Sequence, residues 1–147
     1  MSRISIALIA MLLMAAGSAV KAEQSKTFGD YTIHYAAFTT DLLSPEVARL
    51  YKIRRSKNRA IINISVLKKV MGTTGQPVKA QVEASATNLN RQLKNLNTRE
   101  LNSNGAIYYI AETSVNNEET LNFDLNIIPE GETATLSFSF QQQFFTE

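Results

Sequence analysis

The stretch LNFDLNI, residues 121–127, alternates strictly between apolar and polar side chains. Successive side chains of a β-strand point to opposite faces, so this alternation predicts a strand with one buried face. The same period of two recurs in residues 31–35, 60–66, 78–86 and 134–140, with turn residues such as Asn104-Gly105 between the stretches. We therefore predict an all-β fold, an antiparallel immunoglobulin-like β-sandwich of six to eight strands. An up-and-down barrel is the alternative.

One short helix is predicted near residues 45–51. Ser44 suits the N-cap and Pro45 suits the first helical position. Apolar residues follow at helical spacing and form one face. The segment 88–97 is rich in Asn and Leu, and it is compatible either with a strand or with a crossover between two sheets.

The first residues have the pattern of a secretory signal peptide. Arg3 supplies a positive charge, residues 4–16 form an almost unbroken apolar run, and cleavage is expected after Ala22. The run is shorter than the roughly 20 residues that span a bilayer, which disfavours a membrane anchor. We expect residues 1–22 to be a cleaved signal peptide and residues 23–147 to form a single exported β-sandwich domain, with no transmembrane segment after cleavage.

The chain has no cysteine, which excludes disulfides and cysteine-containing metal clusters. Its charge is unevenly distributed along the sequence. Residues 23–99 hold 13 Lys and Arg against five acidic residues, whereas residues 100–147 hold eight acidic residues and no Lys or Arg. Antiparallel pairing brings distant segments side by side, so we expect opposite charges from the two halves to face each other.

The densest charge lies in the stretch KIRRSKNR, residues 52–59. Its five cations are the candidate binding residues for an anionic ligand or an acidic envelope protein: Lys52, Arg54, Arg55, Lys57 and Arg59. The alternative is that these charges are neutralised within the fold. We expect the run to divide, with residues 55–59 used mostly inside the protein, opposite acids such as Glu112 or Asp124, and Lys52 and Arg54 in solvent. Nucleic acid is disfavoured by export and by the neutral charge of residues 23–147.

No pattern of catalytic residues is evident. The single histidine, His34, has no local motif that provides a nucleophile or a carboxylate partner. We therefore predict no catalytic residue, no metal site and no cofactor, and a non-enzymatic binding or accessory module. The alternative is a small hydrolase that uses His34 with a nearby serine or acid.

The C-terminus interrupts the alternation. Phe138 and Phe140 continue the inward-facing row, but Gln141-Gln142-Gln143 and Phe144-Phe145 break it. Either the last strand bends, or two aromatic residues stay partly exposed on an edge strand that can pair with another chain. We expect the bend, because an exposed aromatic edge invites aggregation.

Several stretches together resemble one known family. They are residues 29–68, residues 86–89, residues 106–112 and residues 119–124. In combination they are similar to domain-of-unknown-function family 4426, a family of exported proteobacterial proteins. The resemblance extends over nearly all of residues 23–147. It implies a small periplasmic β-sandwich, and it implies no enzymatic activity.

Overall fold

The computed structural model describes residues 24–147, so the predicted signal peptide, residues 1–22, lies outside the described residues. The strands are β1 (Gln24–Phe28), β2 (Tyr31–Thr39), β3 (Arg59–Lys68), β4 (Gln76–Pro77), β5 (Ala80–Asn88), β6 (Leu93–Leu96), β7 (Arg99–Ser103), β8 (Ala106–Ser114), β9 (Thr120–Pro129) and β10 (Leu136–Gln143). A 3-10 turn (Thr40–Leu42) and helix α1 (Pro45–Leu50) lie between β2 and β3. Within the described range, no helix has both the length and the hydrophobicity needed to cross a membrane.

The strands form two antiparallel sheets. Sheet A has six strands in the order β1-β2-β3-β8-β7, with the short β4 also paired to β3, and sheet B has four in the order β10-β9-β5-β6. The prediction of an antiparallel, immunoglobulin-like β-sandwich with one short helix is confirmed. The strands are more numerous than predicted, because β1, β4, β6 and β7 are short or exposed and show no clear alternation.

The main core lies between the two sheets. Sheet A contributes Ile33, Ile62 and Ile64, and sheet B contributes Phe123, Leu125 and Ile127. Each of these side chains is at most 1% exposed. They are the apolar residues that the alternation of the sequence predicted on the buried faces of the strands. Alternation therefore located the core correctly.

A second apolar cluster lies on the outer face of sheet A. Phe38, Ile61 and Ile110 point outward from β2, β3 and β8, and Ala48 of α1 and Ile53 pack with them. Alternation alone places Ile61 in solvent. The helix therefore serves as a local third layer, which positions the chain that follows it.

Helix α1 begins as predicted. Ser44 Oγ accepts a hydrogen bond from the N–H of Val47 at 3.2 Å, and Pro45 occupies the first helical position, where its missing N–H has no cost. A helix of six residues is too short to be stable alone. Its position therefore depends on the apolar residues beneath it.

The segment 88–97 contains both a strand and a crossover. Asn88 Oδ1 accepts hydrogen bonds from the N–H groups of Asn90 and Gln92, at 3.0 and 2.9 Å. This turn leads into β6, which pairs with β5 in sheet B. Residues 97–98 then carry the chain over to sheet A, where β7 begins.

Candidate functional site

The cationic loop, residues 52–59, starts at the end of α1. The N–H of Ile53 donates to Ala48 O at 2.7 Å, and the N–H of Lys52 donates to Arg49 O at 3.3 Å. Together these bonds form a Schellman motif, with Lys52 in the left-handed conformation (φ 55°) that glycine usually supplies. Ile53 then turns inward and is 7% exposed. The helix end thus fixes the first residues of the loop.

Thr40 holds the middle of the loop. Its side chain is fully buried. The hydroxyl donates to Arg54 O at 2.7 Å, lies 3.1 Å from Ser56 O, and accepts from the N–H of Ser56 at 2.8 Å. One buried side chain therefore bonds the backbone on both sides of Arg55.

Arg55 holds the loop against the 3-10 turn. Its Nε donates to Leu43 O at 2.7 Å, and its Nη2 donates to Asp41 O at 3.0 Å. The guanidinium thus bonds main-chain carbonyls, not a carboxylate. Arg55 is used within the fold, as expected. The expected partner was an acidic side chain on a neighbouring strand, whereas the observed partners are the carbonyls of Leu43 and Asp41.

Arg59 pairs across sheet A with Glu112 of β8. Arg59 Nη2 lies 3.5 Å from Glu112 Oε1, and the two side chains are 35% and 19% exposed. Glu112 is one of the two acids expected opposite the run. The other, Asp124, lies on β9 in sheet B and accepts a hydrogen bond from Ser139 instead.

The remaining three cations of the loop, Lys52, Arg54 and Lys57, are exposed. Their side chains make no hydrogen bond or ion pair with any other residue of the range 24–147. Lys52 and Arg54 were expected in solvent. Lys57 was expected to be used within the fold, but β3 begins only at Arg59, so Lys57 has no neighbouring strand opposite it.

Two further arginines lie beside the loop. Arg99 of β7 donates from Nη2 to the carbonyl of Tyr51, and Arg49 lies in the last turn of α1. Sequence reasoning missed both. Arg99 is 48 residues away from Tyr51, and only the neighbouring positions of β3, β8 and β7 bring it close. Arg49 could have been found from its position just before the dense run.

His34 lies on the outer face of sheet A, in β2. Ser25 of β1 and Ser65 of β3 are directly opposite it in the strand register. His34 is half-buried and lies within a regular sheet, away from the cationic loop. These observations do not test the hydrolase hypothesis, which stays a prediction.

A polar network connects the two sheets. The Tyr109 hydroxyl accepts from the N–H of Ala80 at 2.8 Å and donates to Glu100 Oε1 at 3.0 Å. Hydrogen bonds from Asn102 and then Tyr109 lower the pKa of Glu100, and the nearby charge of Lys79 lowers it further. Burial raises the pKa of Tyr109. These groups satisfy one another, which is the arrangement of a structural network.

An open groove of about 530 Å³ lies along β5, β6 and β9. Its charged lining residues are Glu83 and Asp124, and the others include Ser85, Asn95 and Asn126. The groove thus has the opposite charge to the cationic loop. Across residues 24–147, the structure has no group of three or more His, Cys, Asp or Glu side chains that could hold a metal ion.

The fold is similar to those of solved structures. A DUF4426 family protein from Pseudomonas aeruginosa PAO1 matches with a TM-score of 0.73 and 34% sequence identity, over 84% of this chain and 94% of that chain. FetP from uropathogenic E. coli strain F11, recombinantly expressed in the periplasm of E. coli, matches with a TM-score of 0.58 and 8% identity, over 83% and 93% of the two chains. A copper-bound variant of FetP gives a TM-score of 0.57 and 8% identity, over 84% and 95%. Identity this low shows a shared fold alone.

The sequence comparisons identify the family. No curated protein sequence matches the chain significantly. The family model described as "Domain of unknown function (DUF4426)" matches residues 25–147, which is all but the first of the described residues. On this match, and on the 34% identity to the Pseudomonas protein, the chain belongs to the DUF4426 family.

Proposed function

We propose that this protein is a non-enzymatic binding module of the periplasm, which holds an anionic partner of the cell envelope through its cationic loop. One observation carries the proposal. Lys52, Arg54 and Lys57 are exposed and make no side-chain hydrogen bond or ion pair within residues 24–147. Their charges are therefore available to a partner.

The backbone of the loop supports this role. The Thr40 hydroxyl, the buried Ile53 and the Arg55 guanidinium hold the chain at three points. A fixed loop loses less conformational entropy when a partner binds, so more of the interaction energy remains as affinity. The free side chains still adjust, because lysine and arginine have long flexible stems.

The chemistry of the side chains indicates the class of partner. Arginine presents a planar fork of N–H donors that matches carboxylate or phosphate oxygens in pairs, and lysine provides a compact point charge. Arg54 is free for the first kind of contact, and Lys52 and Lys57 for the second. We therefore expect a partner with clustered phosphates or carboxylates.

The periplasmic location rests on the sequence. Residues 1–22 have the charge, apolar run and small residues of a secretory signal peptide. An exported chain meets lipid phosphates, anionic glycans and acidic proteins of the envelope, and each of these offers the required charge.

The test compares two triple variants of equal net charge. The first is Lys52→Gln with Arg54→Gln and Lys57→Gln. The control is Lys26→Gln with Lys69→Gln and Arg91→Gln, three exposed cations outside the loop. Co-sedimentation with envelope vesicles from E. coli measures binding over a range of salt concentrations.

We expect the loop variant to bind at least about tenfold more weakly than the wild type, which corresponds to roughly 0.5 kcal/mol for each lost cation. The control variant keeps its affinity. Binding of the wild type weakens as salt is added, because ions screen exposed charges. Equal loss in both variants indicates attraction by net charge alone, and no loss in the loop variant contradicts the proposal directly.

A further inference from the structure

The strands at the four ends of the two sheets differ in how they are protected from pairing with other chains. β1 carries Lys26, β7 carries Arg99 and Glu100, and β6 has only four residues. Charges and short length are the usual protections of sheet edges. β10 has neither, since its sequence LSFSFQQQ extends over eight residues without a charge, a proline or a glycine.

The backbone of β10 has an open side. The N–H of Phe144 donates to Glu119 O at 2.8 Å, in continuation of the β10–β9 register. In antiparallel pairs the backbone groups of alternate residues bond to the neighbouring strand. The backbone N–H and C=O groups of the even-numbered residues of β10 therefore bond to β9, and those of the odd-numbered residues point away from β9. Ser137, Ser139 and Gln141 therefore present N–H and C=O groups to the edge, and within residues 24–147 β10 pairs only with β9.

The apolar row of β10 is incompletely covered. Leu136, Phe138 and Phe140 face the core but are only half-buried, whereas Phe123 of the neighbouring β9 is 1% exposed. Phe138 and Phe140 contact Tyr35 across the sandwich at ring-centroid distances of 4.9 and 4.6 Å. Their outer sides remain open along the edge. An added strand would cover this row while satisfying the free backbone groups.

We propose that β10 is a self-association edge, along which a second copy of this chain pairs antiparallel about a two-fold axis. The strand is complementary to itself. Antiparallel pairing with Ser139 opposite the partner's Ser139 sets Phe138 opposite the partner's Phe140, with both rings on the core face. Since the strand carries no charge, no like charges meet. The result is one continuous eight-stranded sheet across a symmetric dimer. This dimer does not depend on the binding of an anionic partner to the cationic loop.

The first test measures the oligomeric state by light scattering during gel filtration. The wild type elutes with twice the mass of the monomer. Ser139→Lys places two cations directly opposite each other at the axis and yields monomers that keep the far-UV circular dichroism spectrum of the wild type. The control, Asn95→Lys, adds the same charge on the same outer face of sheet B but at the opposite edge, on β6, and remains dimeric. The double variant Ser137→Lys with Gln141→Lys, which sets a cation opposite the partner's cation at both of these positions, provides a second disruption if Ser139→Lys folds poorly.

Two results overturn the proposal. One is a wild type that stays monomeric at the highest soluble concentration, in which case the edge serves a strand of another protein or none. The other is a dimer that persists both in Ser139→Lys and in the double variant Ser137→Lys with Gln141→Lys.

The second test uses the absence of cysteine from the chain. Ser139→Cys introduces one thiol at the proposed axis. Directly opposite, hydrogen-bonded residues of antiparallel strands have Cα atoms about 5.5 Å apart, within the range that a disulfide spans. We expect mild oxidation to link most of the Ser139→Cys protein into covalent dimers and to leave Asn95→Cys monomeric. Equal linking of the two variants contradicts pairing through β10.

Discussion

Lys52 holds a backbone conformation that favours glycine. Its φ of 55° lies in the left-handed region, which costs an L-residue roughly 1–2 kcal/mol. Glycine avoids this strain but loses more entropy on folding, by roughly 0.5–1 kcal/mol. Lys52→Gly is therefore expected to raise the free energy of unfolding by about 0.5–1 kcal/mol, as measured by urea denaturation.

The matched control for this change is Lys57→Gly. Lys57 is also an exposed cation of the loop, but its φ is not positive. The control variant is expected to be equal to the wild type or less stable. A gain in Lys57→Gly as large as that in Lys52→Gly would indicate relief of charge repulsion, and would contradict the strain argument.

Thr40 bonds the backbone on both sides of Arg55. Its hydroxyl is therefore expected to contribute more to the free energy of unfolding than that of an ordinary surface threonine. Thr40→Val keeps the shape but leaves the N–H of Ser56 and the carbonyl of Arg54 without this partner. We expect a loss of about 1–3 kcal/mol in the free energy of unfolding. Faster amide exchange at Ser56 would show that the loop has loosened. Thr27→Val, at an exposed site with a single hydroxyl contact of 3.4 Å, is the control and should change stability little.

Arg59 and Arg54 test the division of the cationic loop between fold and solvent. Arg59→Ala breaks a partly shielded ion pair with Glu112 and is expected to cost up to about 1 kcal/mol. Arg54→Ala should cost close to nothing, because its side chain has no partner within residues 24–147. Denaturation midpoints in the reverse order would show that the assignment of the two residues is wrong.

At the scale of elements, the C-terminal segment resolves an ambiguity in the sequence. β10 ends at Gln143, and Phe144, on the inward-facing side of the same register, is 3% exposed and packs edge-on against Phe123. Phe145 remains 62% exposed. The expected bend is not what buries the Phe144 ring, because Phe144 continues the β10–β9 register and lies on the same face as Phe138 and Phe140. Only one of the two aromatic rings is buried.

Removal of residues 144–147 is therefore expected to destabilise the sandwich. Burial of a phenylalanine side chain contributes roughly 1.5–3 kcal/mol, so thermal denaturation should show a melting temperature lower by several degrees. Phe145→Ser should leave the melting temperature nearly unchanged. If the deletion has no effect on melting, Phe144 does not contribute to the core as its burial indicates.

The elements that the sequence revealed are those with one face buried and one in solvent. β9 is the clearest case, because Asn122, Asp124 and Asn126 point outward while the residues between them form the core. β3 was harder to interpret. Ile61 breaks its alternation because α1 covers the outer face at that point, and no local pattern reveals a layer formed by a distant segment.

At the scale of the whole molecule, the split between a basic first part and an acidic second part is explained by pairing within the fold. Three ion pairs within residues 24–147 are Arg59–Glu112, Lys79–Glu100 and Lys94–Glu119. Each joins a cation from the first part to an acid from the second. The sequence predicted this juxtaposition from antiparallel pairing, but it did not predict which cations remain unpaired, because that depends on where β3 begins.

Lys94 differs from the other two cations because, besides its ion pair, its side chain donates a hydrogen bond to a main-chain carbonyl of the other sheet. It lies on β6 of sheet B, and its Nζ donates to Ser114 O at the end of β8 in sheet A, at 2.7 Å. The same Nζ lies 3.3 Å from Glu119 Oε1, and the two side chains are only 23% and 12% exposed. Lys79 and Glu100 are 60% and 30% exposed and lie 3.9 Å apart. Shielding from water strengthens the first pair and leaves the second weak.

Lys94→Met is therefore expected to lower the free energy of unfolding by about 1–2 kcal/mol, because it leaves Glu119 and the Ser114 carbonyl without their cationic partner. Lys79→Met, which removes the same charge from a more exposed pair, should cost less than about 0.5 kcal/mol. Urea denaturation at low and high salt distinguishes the contributions of the two ion pairs to stability. Salt screens the exposed pair of Lys79 but has little effect on the shielded pair of Lys94. Equal costs for the two variants would mean that the molecule depends on its total charge balance and not on a specific connection between its sheets.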